Sequence, residues 1–184
     1  LAEDQSNQDS VLMIASTSKV TFAGAGMAFL GSSTNNLERF EDYLSSQTIG
    51  YDKVNQLRHA RFFQDPGSLD RHMIKHRKIL SPKFALVEHK LSQLRELKVI
   101  NWTQPMGGYF VSVDTHPGLA QETISLAAQA GVKLTPAGAT YPLGIDPEDR
   151  NIRIAPTFPD IIELEQALDV LVCCLQLALA RSQQ

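Results

Sequence analysis

The sequence predicts an α/β protein built in two parts. Short apolar runs bounded by glycine, proline and hydroxyl residues are typical of strands, and they alternate with longer segments of helical apolar spacing. From about Pro66 onward the predicted order is helix, strand, strand, helix, strand, strand, helix, which indicates an α/β layer of its own. The first 65 residues instead have the pattern of the tail of a different sheet. We therefore expect the end of a larger domain at residues 1–65 and a small domain at residues 66–184.

Composition excludes several classes of function. The 184 residues are 43% hydrophobic and 20% charged, as in ordinary globular proteins. The net charge of −3 provides no basic field for nucleic acid or acidic membranes. No apolar run approaches the roughly 20 residues that a membrane span needs. Neither nucleic acid nor a membrane is therefore an expected partner.

The cysteines and the start of the chain indicate its setting. Cys173 and Cys174 are neighbours in an apolar segment, where adjacent helical residues point in different directions and make a poor disulfide. This favours a reduced, cytoplasmic location. The chain opens on Leu1 and a polar stretch that leads straight into an apolar strand. Because such a strand needs neighbours on both sides, we expect the C-terminal portion of something longer.

Each element of the first part follows from its local pattern. The apolar run from Val11 to Ala15 predicts a short, fully buried strand. Residues 21–31 are apolar but broken by glycine, which predicts a turn and a second strand. Two helices are then predicted, "STNNLERFEDYLSSQ", which opens on hydroxyl and amide caps, and "VNQLRHARFF", which ends before the break at "DPGS".

The second part begins with a long helical pattern from Leu69 to about Leu97. Pro82 interrupts this pattern, so we expect a kink or two helices there. The segment "VINWTQPMGGYFVSVD" predicts a strand, a Pro-x-Gly-Gly turn and a second strand. The apolar stripe of the helix comprises Met73, Ile74, Leu80, Phe84, Val87, Leu91 and Leu94.

The remaining elements alternate again. "LAQETISLAAQAG" predicts a helix that Gly131 closes, and "VKLTPAG" predicts a short strand. After the loop "YPLGIDPEDR", "NIRIAPTF" predicts a strand with Ile152 and Ile154 on one face and Arg153 on the other. The last segment predicts an amphipathic helix with Asp160 at its N-cap.

Lys19 stands where a lysine is unusual, at the end of the first apolar strand. The ordinary interpretation is a side chain that extends to water. However, Ser16, Thr17 and Ser18 offer hydroxyl donors, and the N–H groups of the small-residue turn that follows complete a predicted phosphate cradle. A lysine on a buried strand beside such a cradle suits Schiff-base chemistry, because burial lowers the pKa of an amine.

Arg153 is the second candidate. An arginine in a strand is usually a surface charge. Here one guanidinium interrupts an otherwise apolar strand, between the acidic loop "DPEDR" and the turn "APTFP". A guanidinium in an apolar wall is suited to bind a carboxylate through two parallel hydrogen bonds.

Three other patterns are weaker. "STSK" matches the Ser-x-x-Lys of penicillin-binding proteins, but the Ser-Asp-Asn and Lys-Thr-Gly motifs that accompany it do not occur. "GAGMAF" begins like a dinucleotide-binding fingerprint, with Phe29 in the place of the third glycine. His72 and His76 have a spacing compatible with a metal, but no third ligand is evident. A solvated helix face explains them better, so no metal site is predicted.

Three segments together resemble the class I aminotransferases, the pyridoxal-phosphate enzymes of fold type I. "ASTSKVTFAGAG" resembles their cofactor-lysine segment, "PMGGYFVSVD" their Pro-x-Gly-Gly-x-Phe segment, and "NIRIAPTFP" their strand with the substrate-carboxylate arginine. The order and spacing agree over essentially all 184 residues. Residues 49–63 and "GIDPEDRNIRIAP" are most similar to a branch of bacterial aspartate aminotransferases near the MocR-type group.

The resemblance implies both fold and site. The chain would hold the end of the large cofactor-binding domain sheet and the whole small C-terminal α/β domain. Lys19 resembles the catalytic lysine that binds the cofactor aldehyde, and Ser16 resembles the serine that binds its phosphate. Ser18 is a second phosphate-side candidate. Arg153 resembles the arginine that pairs with the substrate α-carboxylate.

Two departures from the family pattern stand out. Gly26 and Met27 occupy the positions where most class I enzymes place a phosphate-binding arginine. The family's ring-binding aspartate, tyrosine, asparagine and aromatic residue precede the lysine. Only 18 residues do so here, and among them Asp4 and Asp9 lie in a polar tail.

The implied function is transfer of an amino group between an amino acid, aspartate or another acidic donor, and a 2-oxo acid. The resemblance further implies pyridoxal 5'-phosphate as cofactor and a homodimer whose subunits share their sites. We expect this 184-residue piece alone to be inactive. The alternative is a non-catalytic, aminotransferase-like domain that binds a ligand or a partner, such as the effector domain of a transcription regulator.

Overall fold

The computed structural model describes residues 5–95 and 100–183. Their contacts divide the chain into two compact units, Leu1–Lys75 and His76–Gln184. Each unit combines strands with helices, so the predicted α/β class is confirmed. The domain boundary at residues 65 and 66 stays a prediction. Among the described residues, no helix is long and apolar enough to cross a membrane.

The first unit is built on an antiparallel hairpin. After a 3₁₀ helix at Gln5–Ser10, strand β1 (Met13–Ser16) pairs with strand β2 (Ala28–Gly31), and Ser16 lies opposite Ala28. Helices α1 (Thr34–Ser45) and α2 (Lys53–Phe62) follow, as predicted.

Polar side chains fix the start of α1. The Ser33 hydroxyl accepts the Asn36 N–H at 3.2 Å and donates to the Asp9 carboxylate. Hydrogen bonds from Ser33 and then Asn35 hold the pKa of Asp9 below its usual value. Asp9 therefore ties the 3₁₀ helix to α1 rather than lying in a loose polar tail. Asp4 falls outside the described residues.

The predicted burial of the first strand is wrong. β1 begins two residues later than the apolar run, and all four of its residues are exposed, Ile14 by 77%. Strand β2 pairs with one edge of β1, but nothing in the described part of this unit buries the strand's faces. Apolar composition alone does not distinguish a strand that is covered on both faces from one that is not.

Helix α3 spans Pro66–Ser92 and continues through Pro82, so of the two alternatives, a kink or two helices, the second is wrong and the kink stays a prediction. Proline removes one N–H from the helical ladder but leaves the bonds on either side. Beyond it, the buried side chains of Val87 and Leu91 anchor the helix in the core. Tertiary burial thus outweighs the local cost of proline.

The second unit contains a three-stranded antiparallel sheet. Strands β3 (Ile100–Trp102), β4 (Val111–Thr115) and β5 (Asn151–Ile154) lie in the order β3-β4-β5. The predicted strand at "VKLTPAG" is wrong, because residues 132–136 form no ladder. Instead, the Thr135 hydroxyl lies against the Arg153 side chain.

Helices α4 (Ala120–Gln129) and α5 (Ile161–Ser182) complete this unit. The Asp160 side chain caps α5 by accepting two N–H bonds, as predicted. Gly131 has a φ of 90° just beyond α4, also as predicted. At the start of α4, Asp149, 28 residues away in the chain, accepts the Gln121 N–H, a contact that the local sequence pattern does not predict.

One apolar core joins the elements of the second unit. Helices α3 and α5 are also linked by Lys90, which pairs with Asp169 at 2.6 Å and with Glu165 at 3.1 Å. Cys173 is exposed and Cys174 buried, and both are free thiols, in agreement with the predicted lack of a disulfide. The core comprises Val87, Leu91, Leu94, Val111, Val113, Ala120, Ile152, Ile154, Leu164, Leu168, Leu171, Val172 and Leu175.

Asp146 organises the loop that precedes β5. Its carboxylate accepts backbone N–H bonds from Arg150 and Asn151, both at 2.8 Å, and from Glu148 at 3.1 Å. Burial raises the pKa of Asp146, but the bonds from Asn151, Arg150 and Glu148 together outweigh it and hold the pKa below its usual value. The ionised form therefore stabilises the fold above the unfolded-state pKa, and this contribution is lost as pH falls through the native pKa.

We predict that Asp146→Asn lowers the free energy of unfolding at pH 7 by about 1–3 kcal/mol, because hydrogen bonds to a charged acceptor are lost. The difference from the wild type should shrink as the pH falls from about 4, the ordinary pKa of an aspartate, through the lowered native pKa of Asp146, where the wild-type carboxylate takes up a proton. Urea denaturation at pH 7 and at a pH below the native pKa of Asp146 measures this difference in stability. Asp70→Asn, at an exposed aspartate, is the matched control. An equal loss at both pH values would contradict the electrostatic account.

Candidate active site

Lys19 lies in a turn directly after β1, and its side chain is exposed. The prediction of a lysine held on a buried strand is therefore wrong in this chain, and the described residues do not supply the expected desolvation. The turn itself is well defined, because the N–H groups of Val20 and Thr21 donate to the Thr17 carbonyl at 2.9 and 3.0 Å. Local hydrogen bonds, rather than burial, set the position of the Lys19 backbone.

Residues 17–27 form a closed loop, called the lysine loop below. Two hydrogen bonds between Thr17 and Met27 join the ends of the loop, called its neck below. The Thr17 N–H donates to the Met27 carbonyl, and the Thr17 hydroxyl accepts the Met27 N–H, both at 2.8 Å. Gly24 has a φ of 73°, a backbone conformation that favours glycine, and allows the loop to return. The hydroxyl residues at the start of the motif and the glycines near its end thus shape the same loop.

Two serine hydroxyls meet beside Lys19. The Oγ atoms of Ser16 and Ser18 are 2.8 Å apart, and the Ser18 N–H donates to Ser16 Oγ at 3.2 Å. Gly26 passes so close that an added Cβ would lie 2.6 Å from Ser18 Oγ. Two exposed hydroxyls, space kept by a glycine and a neighbouring lysine together fit a phosphate group. Lys19 is the only cationic residue of the loop, since Gly26 and Met27 replace the expected arginine.

Arg153 lies half-buried on β5, and its guanidinium is held from two sides. Its carbon lies 4.6 Å from the centre of the Phe110 ring, in a cation–π contact. Nε and Nη2 donate to Thr135 Oγ1 at 3.4 and 3.3 Å. Among the described residues, Arg153 forms no ion pair. A half-buried guanidinium that contacts a phenyl ring and a hydroxyl, with no ion pair among the described residues, is well suited to an incoming carboxylate.

Asn151 supports the same polar face of the sheet and was not predicted. Its Nδ2 donates to Ser112 Oγ at 2.8 Å and to Asp114 Oδ1 at 2.7 Å, and its Oδ1 accepts from Thr140 at 2.7 Å. Ser112 lies directly opposite Arg153 in the β4–β5 register. The amide therefore binds the sheet to the loop that covers this face. The sequence feature that could have indicated Asn151 is its position two residues before Arg153 in the same strand.

Phe110 and Thr135 were also missed. Phe110 and Ser112 are two residues apart, so alternation along a strand places them on the same face. This spacing could have indicated Phe110 as a neighbour of the site. Thr135 had no such indication, because its segment was assigned to a strand. The structure brings Ser16, Ser18 and Lys19 together in the first unit and places Arg153 in the second.

Among the weaker sequence patterns, the histidine pair is explained by packing at His72. The His72 ring packs edge-on against Phe62 and Phe63, at 5.3 and 5.6 Å between centres. In residues 5–95 and 100–183 no group of three or more histidine, cysteine, aspartate or glutamate side chains is arranged to hold a metal ion.

Comparison with known proteins identifies the family. The aspartate amino-transferase family model matches residues 1–184, and the chain belongs to this family. It is 44% identical over 181 residues to an aspartate aminotransferase of Corynebacterium glutamicum, covering 98% of this chain and 42% of that protein. It is 50% identical over 179 residues to an aminotransferase-family protein of Mycolicibacterium smegmatis, covering 97% of this chain and 42% of that protein.

Solved structures agree with this assignment. A crystal structure of an aspartate transaminase from Corynebacterium glutamicum is 44% identical, with a TM-score of 0.91 over 94% of this chain and 41% of that one. The α-aminoadipate aminotransferase of Thermus thermophilus, solved with N-(5'-phosphopyridoxyl)-L-leucine, shares the fold with a TM-score of 0.77 at 22% identity, over 97% of this chain and 45% of that one. The predicted fold type I architecture is confirmed, and the chain spans less than half the length of these relatives.

We predict that Gly26→Ala destabilises the protein by about 1–3 kcal/mol, because the new methyl group overlaps Ser18. Gly50→Ala is the matched control, since Gly50 has open space around its Cα and no positive φ. That control should change stability by less than about 1 kcal/mol. Denaturant unfolding of the full-length protein measures both, and equal effects would show that the contact with Ser18 is unimportant.

Proposed function

We propose that this chain is the C-terminal part of an aminotransferase that uses pyridoxal 5'-phosphate. The enzyme moves an amino group between an amino acid, aspartate or another acidic donor, and a 2-oxo acid. The observation that carries the proposal is the half-buried guanidinium of Arg153, held by neutral side chains and without an ion pair in the described residues. Membership of the aspartate amino-transferase family supports the reaction class.

The residues of the lysine loop fit the cofactor. Lys19 would bind its aldehyde, and the adjacent hydroxyls of Ser16 and Ser18 would receive its phosphate. The bound ring supplies an electron sink for charge that develops on the substrate. With no arginine at Gly26 or Met27, the phosphate charge is balanced by residues outside this loop.

Arg153, Lys19 and Phe110 have separate roles in the proposed reaction. Arg153 binds the substrate α-carboxylate through its guanidinium and so fixes the direction of the Cα–H bond. The Lys19 amine would take up the proton that leaves the substrate Cα as general base and, as general acid, deliver it to the cofactor carbon C4′ rather than back to Cα. Phe110 shields one face of the Arg153 guanidinium from water, which strengthens its attraction for a carboxylate.

The remaining features of the full enzyme are proposed from the resemblance to the family. We place the chain near the MocR-type group of bacterial aspartate aminotransferases, in a cytoplasmic homodimer, with domains at residues 1–65 and 66–184. The rest of the relatives' length would cover the exposed apolar side chains of the first unit, such as Met13, Ile14 and Phe29. This piece alone is inactive. The matched relatives have aminotransferase names, so no observation favours the non-catalytic alternative.

The assignment of Lys19 predicts the site of a covalent label. Reduction of the cofactor-loaded, full-length enzyme with borohydride should attach a pyridoxyl group to Lys19, and Lys19→Ala should abolish the labelling. Peptide mass mapping locates the label, and Lys53→Ala, which removes an exposed lysine of α2, is the control. A pyridoxyl group on any other lysine of the wild-type enzyme would show that the assignment is wrong.

The assignment of Arg153 predicts a defect in substrate binding. Arg153→Ala should raise KM for the amino acid by about 100-fold or more, equivalent to about 2.7 kcal/mol, because the α-carboxylate loses its counter-charge. Arg153→Lys should recover part of the loss, since it restores the charge without the planar fork. Arg181→Ala, which removes an exposed guanidinium of α5, is the control. A rise of less than about threefold would mean that Arg153 is structural.

A further inference from the structure

Helix α2 lies against the lysine loop and contacts it through polar side chains. Asn55 Nδ2 donates to the Ala25 carbonyl at 2.9 Å. His59, one helical turn further along, meets Thr21 Oγ1 through Nε2 at 2.8 Å. Thr21 follows Lys19 by two residues, and Ala25 lies on the returning limb. One helix face therefore holds the loop on both sides of its turn.

His59 is set rigidly for this contact. Its side chain is buried, at 4% exposure, although most of α2 is exposed. Nδ1 lies 2.9 Å from the Asn55 carbonyl, which can only accept, so Nδ1 carries a hydrogen. When the ring is neutral, Nε2 is an acceptor for the Thr21 hydroxyl hydrogen, which also lies within reach of the Thr17 carbonyl at 3.3 Å. The Phe22 ring packs edge-on against His59, with 5.0 Å between centres, and closes the remaining side.

A buried histidine with both nitrogens bonded is ordinarily a satisfied core residue. The contacts of His59 are instead concentrated on the one loop that carries Lys19 and the hydroxyl pair. The same is true of the Asn55 amide, whose Nδ2 donates to the carbonyls of Ala25 at 2.9 Å and Gly26 at 3.5 Å on the loop backbone. Exposed Lys19 has no burial to hold its backbone in place, so the geometry of the loop depends on its neck at Thr17 and on α2.

We propose that His59 and Asn55 are positioning residues for Lys19: helix α2 holds the lysine loop in the conformation that presents the amine beside the Ser16 and Ser18 hydroxyls. The effect on Lys19 chemistry rests on the function proposed above, whereas the clamp on the loop does not. Loss of either contact should loosen residues 17–27 without disturbing the second unit.

Isosteric variants test the clamp in the full-length protein. Asn55→Asp replaces the donor by an acceptor that faces the Ala25 carbonyl. Thr21→Val removes a hydroxyl that meets both His59 Nε2 and the Thr17 carbonyl, so its effect is compared with that of His59→Ala, which leaves the Thr17 bond in place. His59→Gln keeps a polar group able to reach Thr21, so it should retain more of the clamp than His59→Ala. Asn101→Asp is the matched control, because the Asn101 Oδ1 bond to the Trp102 N–H survives the change.

Two measurements are made on each variant. Hydrogen exchange without cofactor should be about tenfold faster or more in residues 17–27 of Asn55→Asp and Thr21→Val, with α5 unchanged as the check on folding. The rate at which added pyridoxal 5'-phosphate becomes borohydride-trapped on Lys19 should fall about fivefold or more. The control should match the wild type in both.

The outcomes separate the two proposals. Unchanged exchange in residues 17–27 would overturn the clamp. Faster exchange with an unchanged trapping rate would overturn the positioning role for Lys19. A trapped label on another lysine in the wild type would instead overturn the assignment of Lys19, and the clamp would then be judged on hydrogen exchange alone.

Discussion

The register of β5 against β4 is the constraint on which the second unit depends. Ile152 and Ile154 enter the apolar core, so their neighbours Asn151 and Arg153 must face the other way. A slip of one residue would place the guanidinium in the core and expose the isoleucines. The large apolar contribution of the core therefore fixes the side of the sheet on which Arg153 appears.

The polar face of that sheet is held by a chain of satisfied bonds. Asn151 uses both its amide hydrogens and its oxygen, and Asp146 accepts three backbone N–H groups in the loop before β5. A buried amide left without partners would cost about 1–3 kcal/mol. These bonds fix the path of the chain just before Arg153. The arginine itself contacts Phe110 and Thr135 and forms no ion pair with the described residues.

The first unit is held together differently, mainly by hydrogen bonds around the lysine loop. Its lysine loop must hold an exposed Lys19 with few apolar contacts, and it does so with Thr17 at the neck, glycine where chains approach closely, and α2 alongside. The apolar residues of β1, in contrast, have no cover in the described residues. Local hydrogen bonds thus define the loop, although the apolar side chains of the adjoining strand β1 are exposed.

Local patterns were sufficient for most of the fold. Alternation predicted the faces of β5, hydroxyl and carboxylate caps predicted the starts of α1 and α5, and Gly131 predicted the end of α4. These features depend on neighbours within a few residues, which the sequence displays directly. The same is true of the juxtaposition of Ser16, Ser18 and Lys19, which lie within four positions of one another.

What depends on distant residues was decided only by the tertiary structure. Continuity of α3 through Pro82 required the core beyond it, and the irregular path at Thr135 required the guanidinium it meets. Burial of β1 could not be judged from its apolar run, because burial depends on what lies across the strand. The sequence by itself determined the candidate residues and the elements that carry them. The tertiary structure decided their neighbours, because packing and hydrogen bonding join segments that the chain order keeps apart.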